Sequence, residues 1–386
     1  MDLELDDDQQ AFRDLIRNFT DREVRPVARE MEQSGTYPSE IVAQMADMGL
    51  FGLTVPAEFG GLEVDTVTLA VVFEELSRGW MGIAGMIGSH GMACKLIALH
   101  GTDEQRRRHL PELASGNRRS GLALTEPDAG SDLQGIKTRA VRDGDDYVVT
   151  GTKTWITNAR HADPLPLLVK TDPSADPPHR GMSILLAAAD TPGMEVTRDL
   201  GKLGYKGPET CEVVFDGARV PVADLLGDVE GKGMGQAISG LQTGRVNIAA
   251  RAVGVAHRAL EEALAYSGQR HAFGQPIGEF QAVQLKLADM ATKIQAARSL
   301  TWWAAGRLDA GADAARESAM AKLFASEVAL EASLESMRIH GGYGYSTEFE
   351  VERLYRDAPL MAIGEGTNDI LRTVIAKGLR STGIPE

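Results

Sequence analysis

The chain has little cysteine, few aromatic side chains and a shortage of positive charge: 2 Cys, 5% Phe, Trp and Tyr, and 40 Lys and Arg against 55 Asp and Glu in 386 residues. Each shortage excludes something. Cys94 and Cys211 stand far apart and form no metal-ligand pattern, so neither a metal site nor a disulfide framework is expected, and a reduced, cytoplasmic compartment fits. A formal net charge of −15 repels polyphosphate and argues against nucleic acid as a partner, because such binding draws on a concentrated basic face. An anionic metabolite could still bind in a local basic pocket. No apolar run approaches the ~18 residues of a membrane span, and the acidic opening, Asp2 to Asp8, is neither a secretory signal nor an Arg-rich transit peptide. No membrane partner is expected.

What remains is an ordinary globular composition, 43% hydrophobic and 25% charged, over a length that implies two or three domains. Residues 1–119 read as a helical domain. Phe12, Leu15, Ile16 and Phe19 recur at helix spacing behind Asp6–Asp8, and Asp65 stands ready to cap the run from Val67 to Leu76. The glycine-rich stretch Gly79–Gly91 interrupts the pattern. From 120 to 227 the text becomes strand-length runs such as Tyr147–Thr150, Ser183–Leu186 and Cys211–Phe215, separated by Gly, Pro and Asp, which predicts a β-barrel or sandwich. Long alanine-rich helical faces return over 228–386 and predict a bundle. The fold class is therefore α+β and multidomain.

Three segments carry the chemistry. Leu122–Ser131 and Lys153–Asn158 supply hydroxyls, backbone amides and an indole, as gripping a flat, polar heterocycle requires. Near the C-terminus, Glu365 stands between Gly364 and Gly366, where a substrate could approach closely and burial would raise the carboxyl pKa. Taken alone, that last segment reads as the opening of a helix capped by Thr367 or Asn368. Other features weigh less. Gly231–Gly235 lacks the spacing of a dinucleotide loop; Glu74-Glu75 and Glu261-Glu262 read as solvated helix faces, Arg106–Arg108 as surface charge, and Trp302-Trp303 as packing.

With Thr-Glu-Pro-Asp-Ala-Gly-Ser-Asp (125–132), Trp-Ile-Thr-Asn (155–158), Gly-Arg (244–245), Arg-His-Ala-Phe-Gly (270–274), His-Gly-Gly-Tyr-Gly-Tyr (340–345) and Glu-Gly-Thr (365–367) in this order, the chain resembles the acyl-CoA dehydrogenase family over nearly its whole length. The resemblance implies a helical N-terminal domain, a middle β domain and a C-terminal four-helix bundle. It also implies FAD as cofactor, an acyl-CoA substrate, an electron-transfer flavoprotein as electron acceptor, and a homotetramer.

Residue by residue, it implies that Glu365 takes the α-proton of the thioester while a hydride passes from the β-carbon to flavin N5. Leu124, Thr125, Gly130, Ser131, Trp155, Ile156 and Thr157 would hold the flavin, with Trp155 on the ring and the Thr157 hydroxyl toward N5. Arg270, Phe273, Gln281, Arg338, Gly341 and Gly342 would hold the adenine dinucleotide end, often of a neighbouring subunit's cofactor, and Thr367 and Asn368 would complete the cofactor set. Ser131, Arg245 and Gly366 would contact substrate. Some relatives carry the base just before the arginine of the Gly-Arg pair; here that residue is Gly244, which cannot act. Gln242 replaces an aspartate common at its position, and Gly364 a bulky aromatic. The small residues around Gly364 and within Gly79–Gly91 hint at room for long or branched acyl chains. Rival readings are an acyl-CoA oxidase-like enzyme, a dehydrogenase of carrier-protein-bound acyl chains, and a non-catalytic flavin-binding scaffold.

Overall fold

The computed structural model describes residues 4–383. Five helices come first: α1 (Asp7–Phe19), α2 (Arg25–Ser34), α3 (Ser39–Asp47), α4 (Thr66–His100) and α5 (Asp103–Ala114). Their starts follow from side-chain capping. Asp6 and Gln9 form a capping box at α1, Thr102 and Gln105 another at α5, and Asp65 accepts from the Thr68 amide at α4. Gly49, at φ 73°, ends the α3 region in the left-handed conformation that glycine tolerates best.

Strands β1 (Arg139–Asp143), β2 (Asp146–Thr157), β3 (Leu165–Lys170), β4 (Met182–Ala187), β5 (Met194–Asp199) and β6 (Thr210–Pro221) form one sheet in the order β4-β3-β1-β2-β6-β5. Only β1 and β3 pair in parallel. Leu165 and Leu167 of β3 share an apolar cluster with Val213 and Phe215 of β6, although two strands separate them, so the sheet curls on itself. Leu168, Ile184 and Leu186 turn the other way, onto Ile97, Leu110 and Leu113 of α4 and α5. Burial on both faces explains why β3 and β4 read as unbroken apolar runs.

The C-terminal helices are α6 (Gly233–Gln269), α7 (Gln281–Asp309), α8 (Ala315–His340), α9 (Val351–Ile363) and α10 (Asn368–Thr382), with the short hairpin β7 (His271–Ala272) and β8 (Gln275–Pro276) after α6. The two helical regions are not separate energetically. Ile16, Phe51, Phe73 and Ile83 lie in the same core cluster as Val253, Ile294, Val328 and Leu354.

Two sequence expectations give way here. Gly79–Gly91 does not interrupt a helix: α4 runs through it, departing from helical dihedrals only at Trp80 (φ −154°, ψ 104°). A Cβ on Gly82 would lie 2.8 Å from the Lys206 carbonyl oxygen, and one on Gly85 or Gly88 would collide with Tyr205 or Asn247. At these three positions the space a side chain would take is filled by neighbours. By length and composition α4 could cross a membrane, yet 72% of its most apolar stretch is buried inside the protein, which makes it a core helix.

The second correction concerns charge. Glu74 and Glu75 are buried, not solvated. Glu75 meets Arg17 at 2.6 Å and Arg78 at 3.1 Å, Glu74 meets Arg298 at 2.6 Å, and Arg78 reaches on to Asp21 and Glu261. The network ties α1, α4, α6 and α7 together. Removing one member strands a buried charge, so Glu75→Ala is expected to destabilise the protein by about 3–5 kcal/mol, measured from urea unfolding midpoints. A loss below about 1 kcal/mol would match a solvated surface pair instead.

Candidate functional site

Glu365 lies between α9 and α10 with φ 56°, a conformation that a side-chain-bearing residue adopts at a cost of about 1–3 kcal/mol. Two contacts hold it there. Lys322 on α8, fully buried, donates to the Gly366 carbonyl at 2.8 Å and to Asn368 Oδ1 at 3.0 Å, and Thr367 caps α10. The carboxyl group packs on α6: a Cβ built on Gly244 would sit 3.0 Å from Glu365 Oε2 and 3.1 Å from Met92 Sδ. The glycine that removes a competing base also makes the space in which Glu365 sits.

Burial pushes the Glu365 carboxyl pKa up, and Arg251, then Arg245 and Lys322, pull it back. Burial also lowers Lys322 to about 8, against the pull of Glu365. The group is thus a carboxylate whose basicity is raised while three cations keep its ionised form accessible.

The β domain supplies the opposite wall. Between Lys153 and Ile156 the register of β2 on β6 shifts, and Trp155, at φ 63°, leaves the sheet with 57% of its surface exposed. A bulge of this kind re-aims a side chain, and here it turns an indole face outward. Thr157 is half-buried and hydrogen-bonded to Tyr205. Ile156 points into the sheet's core, so only its backbone is available to a cofactor. The facing loop is pinned by a buried ion pair, Lys153 Nζ to Glu126 at 2.8 Å, with Lys153 also donating to the Leu124 carbonyl at 2.9 Å. Burial lowers Lys153 to about 8; burial alone would raise Glu126, but Lys153 together with hydrogen bonds from Thr138 and the Lys137 amide holds it below the usual range. Thr125 accepts from the Thr154 amide, while Gly130 and Ser131 remain exposed at the loop's end. An exposed indole with a hydroxyl two residues on, beside a loop whose end stays open, fits a flat, hydrogen-bonding ring system such as a flavin.

The remaining predicted residues gather elsewhere. Arg270, Gly341 and Gly342 line an open groove of about 570 Å³ with Tyr266, His340 and Tyr343. Phe273 projects from the β7–β8 hairpin with 97% of its surface exposed, and Gln281 opens α7 beside it. Arg270 has no carboxylate partner among the described residues, which leaves its fork available to an anion. Arg338 is paired with Glu335. From Gly244 to Gln269 is 25 residues of α6, about 38 Å at 1.5 Å per residue. Within one chain, the groove and the Glu365 site are therefore separated by about 38 Å along α6.

Some assignments find other work. The Asn368 side chain is taken up by Lys322, Ser326 and Glu327. Gln242 bonds Asp313 and the Ala314 amide. Sequence reasoning missed Lys322, Asn158, Tyr205 and Arg251. Asn158 and Tyr205 have positive φ, and their side chains join the β domain to α4 and α6. An isolated lysine or arginine within an alanine-rich helix carries no signal of this kind.

Comparison with known proteins follows the same division of the chain. Family models described as the acyl-CoA dehydrogenase N-terminal, middle and C-terminal domains match residues 6–117, 121–218 and 231–380. The chain is 42% identical over 381 residues to a probable acyl-CoA dehydrogenase, YngJ, of Bacillus subtilis, covering 98% of this chain and all of that protein. It is 42% identical to a (2S)-methylsuccinyl-CoA dehydrogenase of Cereibacter sphaeroides, covering 97% of this chain and 70% of the relative, and 38% identical to the CarC subunit of a caffeyl-CoA reductase–Etf complex of Acetobacterium woodii, covering 95% and 96%. Among solved structures, an acyl-CoA dehydrogenase from Geobacillus kaustophilus superposes with a TM-score of 0.94 at 39% identity, over 98% of this chain and 100% of that one. Butyryl-CoA dehydrogenase from Megasphaera elsdenii gives 0.95 at 34%, over 98% and 100%.

Lys322 gives this site a test. Replacing it with methionine removes a cation that favours the ionised carboxyl, so the Glu365 pKa should rise further. Thioester-driven flavin reduction in Lys322→Met should then lose rate first at low pH, with its half-maximal pH above that of the parent. An unshifted pH profile would mean that Lys322 has no hold on the base.

Proposed function

The chain belongs to the acyl-CoA dehydrogenase family, an FAD-dependent group of oxidoreductases, and from that premise we propose how its own residues perform α,β-dehydrogenation. Glu365 is the base: its Oε2 lies against Gly244, whose missing side chain leaves the carboxyl its place on α6 beside Met92. That juxtaposition carries the reading. The exposed Trp155 face and the Thr157 hydroxyl orient the flavin ring, and the Leu124–Ser131 loop closes over it. Bound FAD supplies the acceptor for the hydride equivalent lost from the β-carbon. Ser131, Arg245 and the Gly366 backbone orient the CoA arm.

The separation along α6 supports an oligomeric reading: the Arg270 groove serves the adenine dinucleotide end of a cofactor seated in a second copy, in keeping with a homotetramer. An electron-transfer flavoprotein is proposed as electron acceptor, supported by a relative that is named as part of an Etf complex.

The purified protein is expected to be yellow and to bleach on anaerobic addition of an acyl-CoA substrate. A positioned base contributes ~10²–10⁴-fold, so Glu365→Gln should slow bleaching by about that factor while FAD stays bound. Near-parental bleaching would remove Glu365 from the base's role. Arg270→Ala should lose FAD on gel filtration; full retention would contradict the proposed groove.

A further inference from the structure

The face of α6 that starts at Gly244 continues, at helical steps of three and four, through Asn247 to Arg251. Arg251 is 5% exposed, and no carboxylate forms an ion pair with it among the described residues. Its Nε has no partner, and neither does Asn247 Oδ1 one turn earlier. Around the guanidinium are Met81 Sδ, 2.7 Å from Nη2, and the Tyr205 ring, whose centroid is 5.3 Å from the Arg251 guanidinium carbon. A thioether is a poor acceptor for a cation, and a single phenol does not replace a carboxylate. The Tyr205 hydroxyl also serves Thr157. Glu365 and Asp357 act on Arg251 only from beyond ion-pair distance, with the Tyr205 hydroxyl as its hydrogen-bond partner, and Asp357 itself accepts from the Tyr205 amide at 2.6 Å.

A buried arginine without a counter-ion is costly and is normally paired. Gly244, against which the Glu365 carboxyl packs, lies two turns earlier on the same face of α6, so Arg251 is on the side of the helix that carries the base. Seven residues separate Gly244 from Arg251, about 10 Å of helix rise. A thioester whose α-carbon lies at Glu365, with its CoA arm toward Ser131 and Arg245, would extend its acyl chain along α6 toward Met81, Tyr205 and Arg251.

We propose that Arg251 is a specificity-determining residue that binds a carboxylate at the far end of the acyl group, so that the substrates are CoA thioesters of short dicarboxylic acids. The proposal rests on the dehydrogenase reading given above. The planar guanidinium suits a carboxylate bidentately. The substrate's second carboxylate thus supplies the counter-ion that the fold leaves out.

The test is a panel of thioesters added anaerobically to the FAD-loaded protein: butyryl- and hexanoyl-CoA against succinyl-, glutaryl-, methylsuccinyl- and adipyl-CoA, scored by flavin bleaching. A carboxylate-ended thioester should give the highest kcat/KM. Loss of one partner of a buried charge pair is worth about 30-fold or more in binding, so Arg251→Met should lose at least that factor more on this substrate than on butyryl-CoA, mainly through KM, the loss common to both substrates being the effect of removing a cation beside Glu365. Arg251→Lys should recover part of the loss. Preference for butyryl-CoA over every dicarboxylic thioester in the unaltered protein would overturn the proposal and leave the dehydrogenase reading intact. An equal loss on both substrate classes in Arg251→Met, accompanied by a shifted pH profile, would overturn it in favour of a residue that only tunes Glu365. Failure of every thioester to bleach the flavin would remove both readings together.

Discussion

Helix α4 has to pass within backbone distance of three other parts of the chain, and the arrangement of the cleft depends on that close approach. Glycines at 79, 82, 85 and 88 leave gaps that are filled by Thr20 at the end of the first helical run, by Lys206 and Pro208, by the Tyr205 ring and by Asn247 of α6. Trp80, where the helix departs from regular geometry, donates its indole N–H to the Lys206 carbonyl at 3.1 Å and packs on Gly207. The loop so held presents Tyr205 to Thr157 on one side and to Arg251 on the other. A methyl group at Gly85 or Gly88 would therefore displace residues beside Glu365 as well as loosen a core contact, because interiors packed at crystal density have no slack to absorb it.

The cleft reverses the electrostatics of the whole chain. A protein with a formal charge of −15 sets three buried cations, Arg251, Arg245 and Lys322, around a single carboxylate at the Gly244 wall. Desolvation and the cations act on Glu365 in opposite directions, which is how a base can be both stronger than an exposed carboxylate and still ionised when needed. The cations also differ in what holds them. Lys322 is spent on the Gly366 carbonyl and Asn368, whereas Arg245 reaches only the Ala315 carbonyl at 3.4 Å, and Arg251 a methionine sulfur and the Tyr205 phenol. Unspent donors beside a base are suited to meet a ligand's charge, and that ordering separates scaffold from recognition among side chains of the same sign.

Much of this was legible in the sequence because it is encoded locally. The order of helical, strand and helical text, the capping residues, Trp155 and Thr157 on one strand, and a glutamate between two glycines are all patterns within a few residues of one another. What was not legible depends on partners distant in sequence. Glu74 and Glu75 look like a solvated pair until Arg298, more than two hundred positions away, is folded against them. Gly79–Gly91 looks like a break until its neighbours fill it, since glycine's intrinsic helix penalty of about 1 kcal/mol is smaller than what close packing on both sides returns. Ile156 shares a motif with Trp155, but a period of two sends it into the sheet's core.

The separation of the two predicted ligand-contacting sets has a consequence for symmetry. Glu365 packs on α6 at Gly244, whereas Arg270, Phe273 and Gln281 follow the helix's C-terminal end. A residue such as Phe273, almost wholly exposed on a two-strand hairpin, is poorly accounted for in an isolated chain, because an apolar side chain projected into water gains nothing there. If one copy's hairpin completes another copy's cofactor site, two-fold closure makes the relation reciprocal: each chain lends its Arg270 end and borrows its partner's. On the proposed reading, cofactor retention and assembly are then one equilibrium, since a ligand that binds across an interface stabilises that interface by mass action.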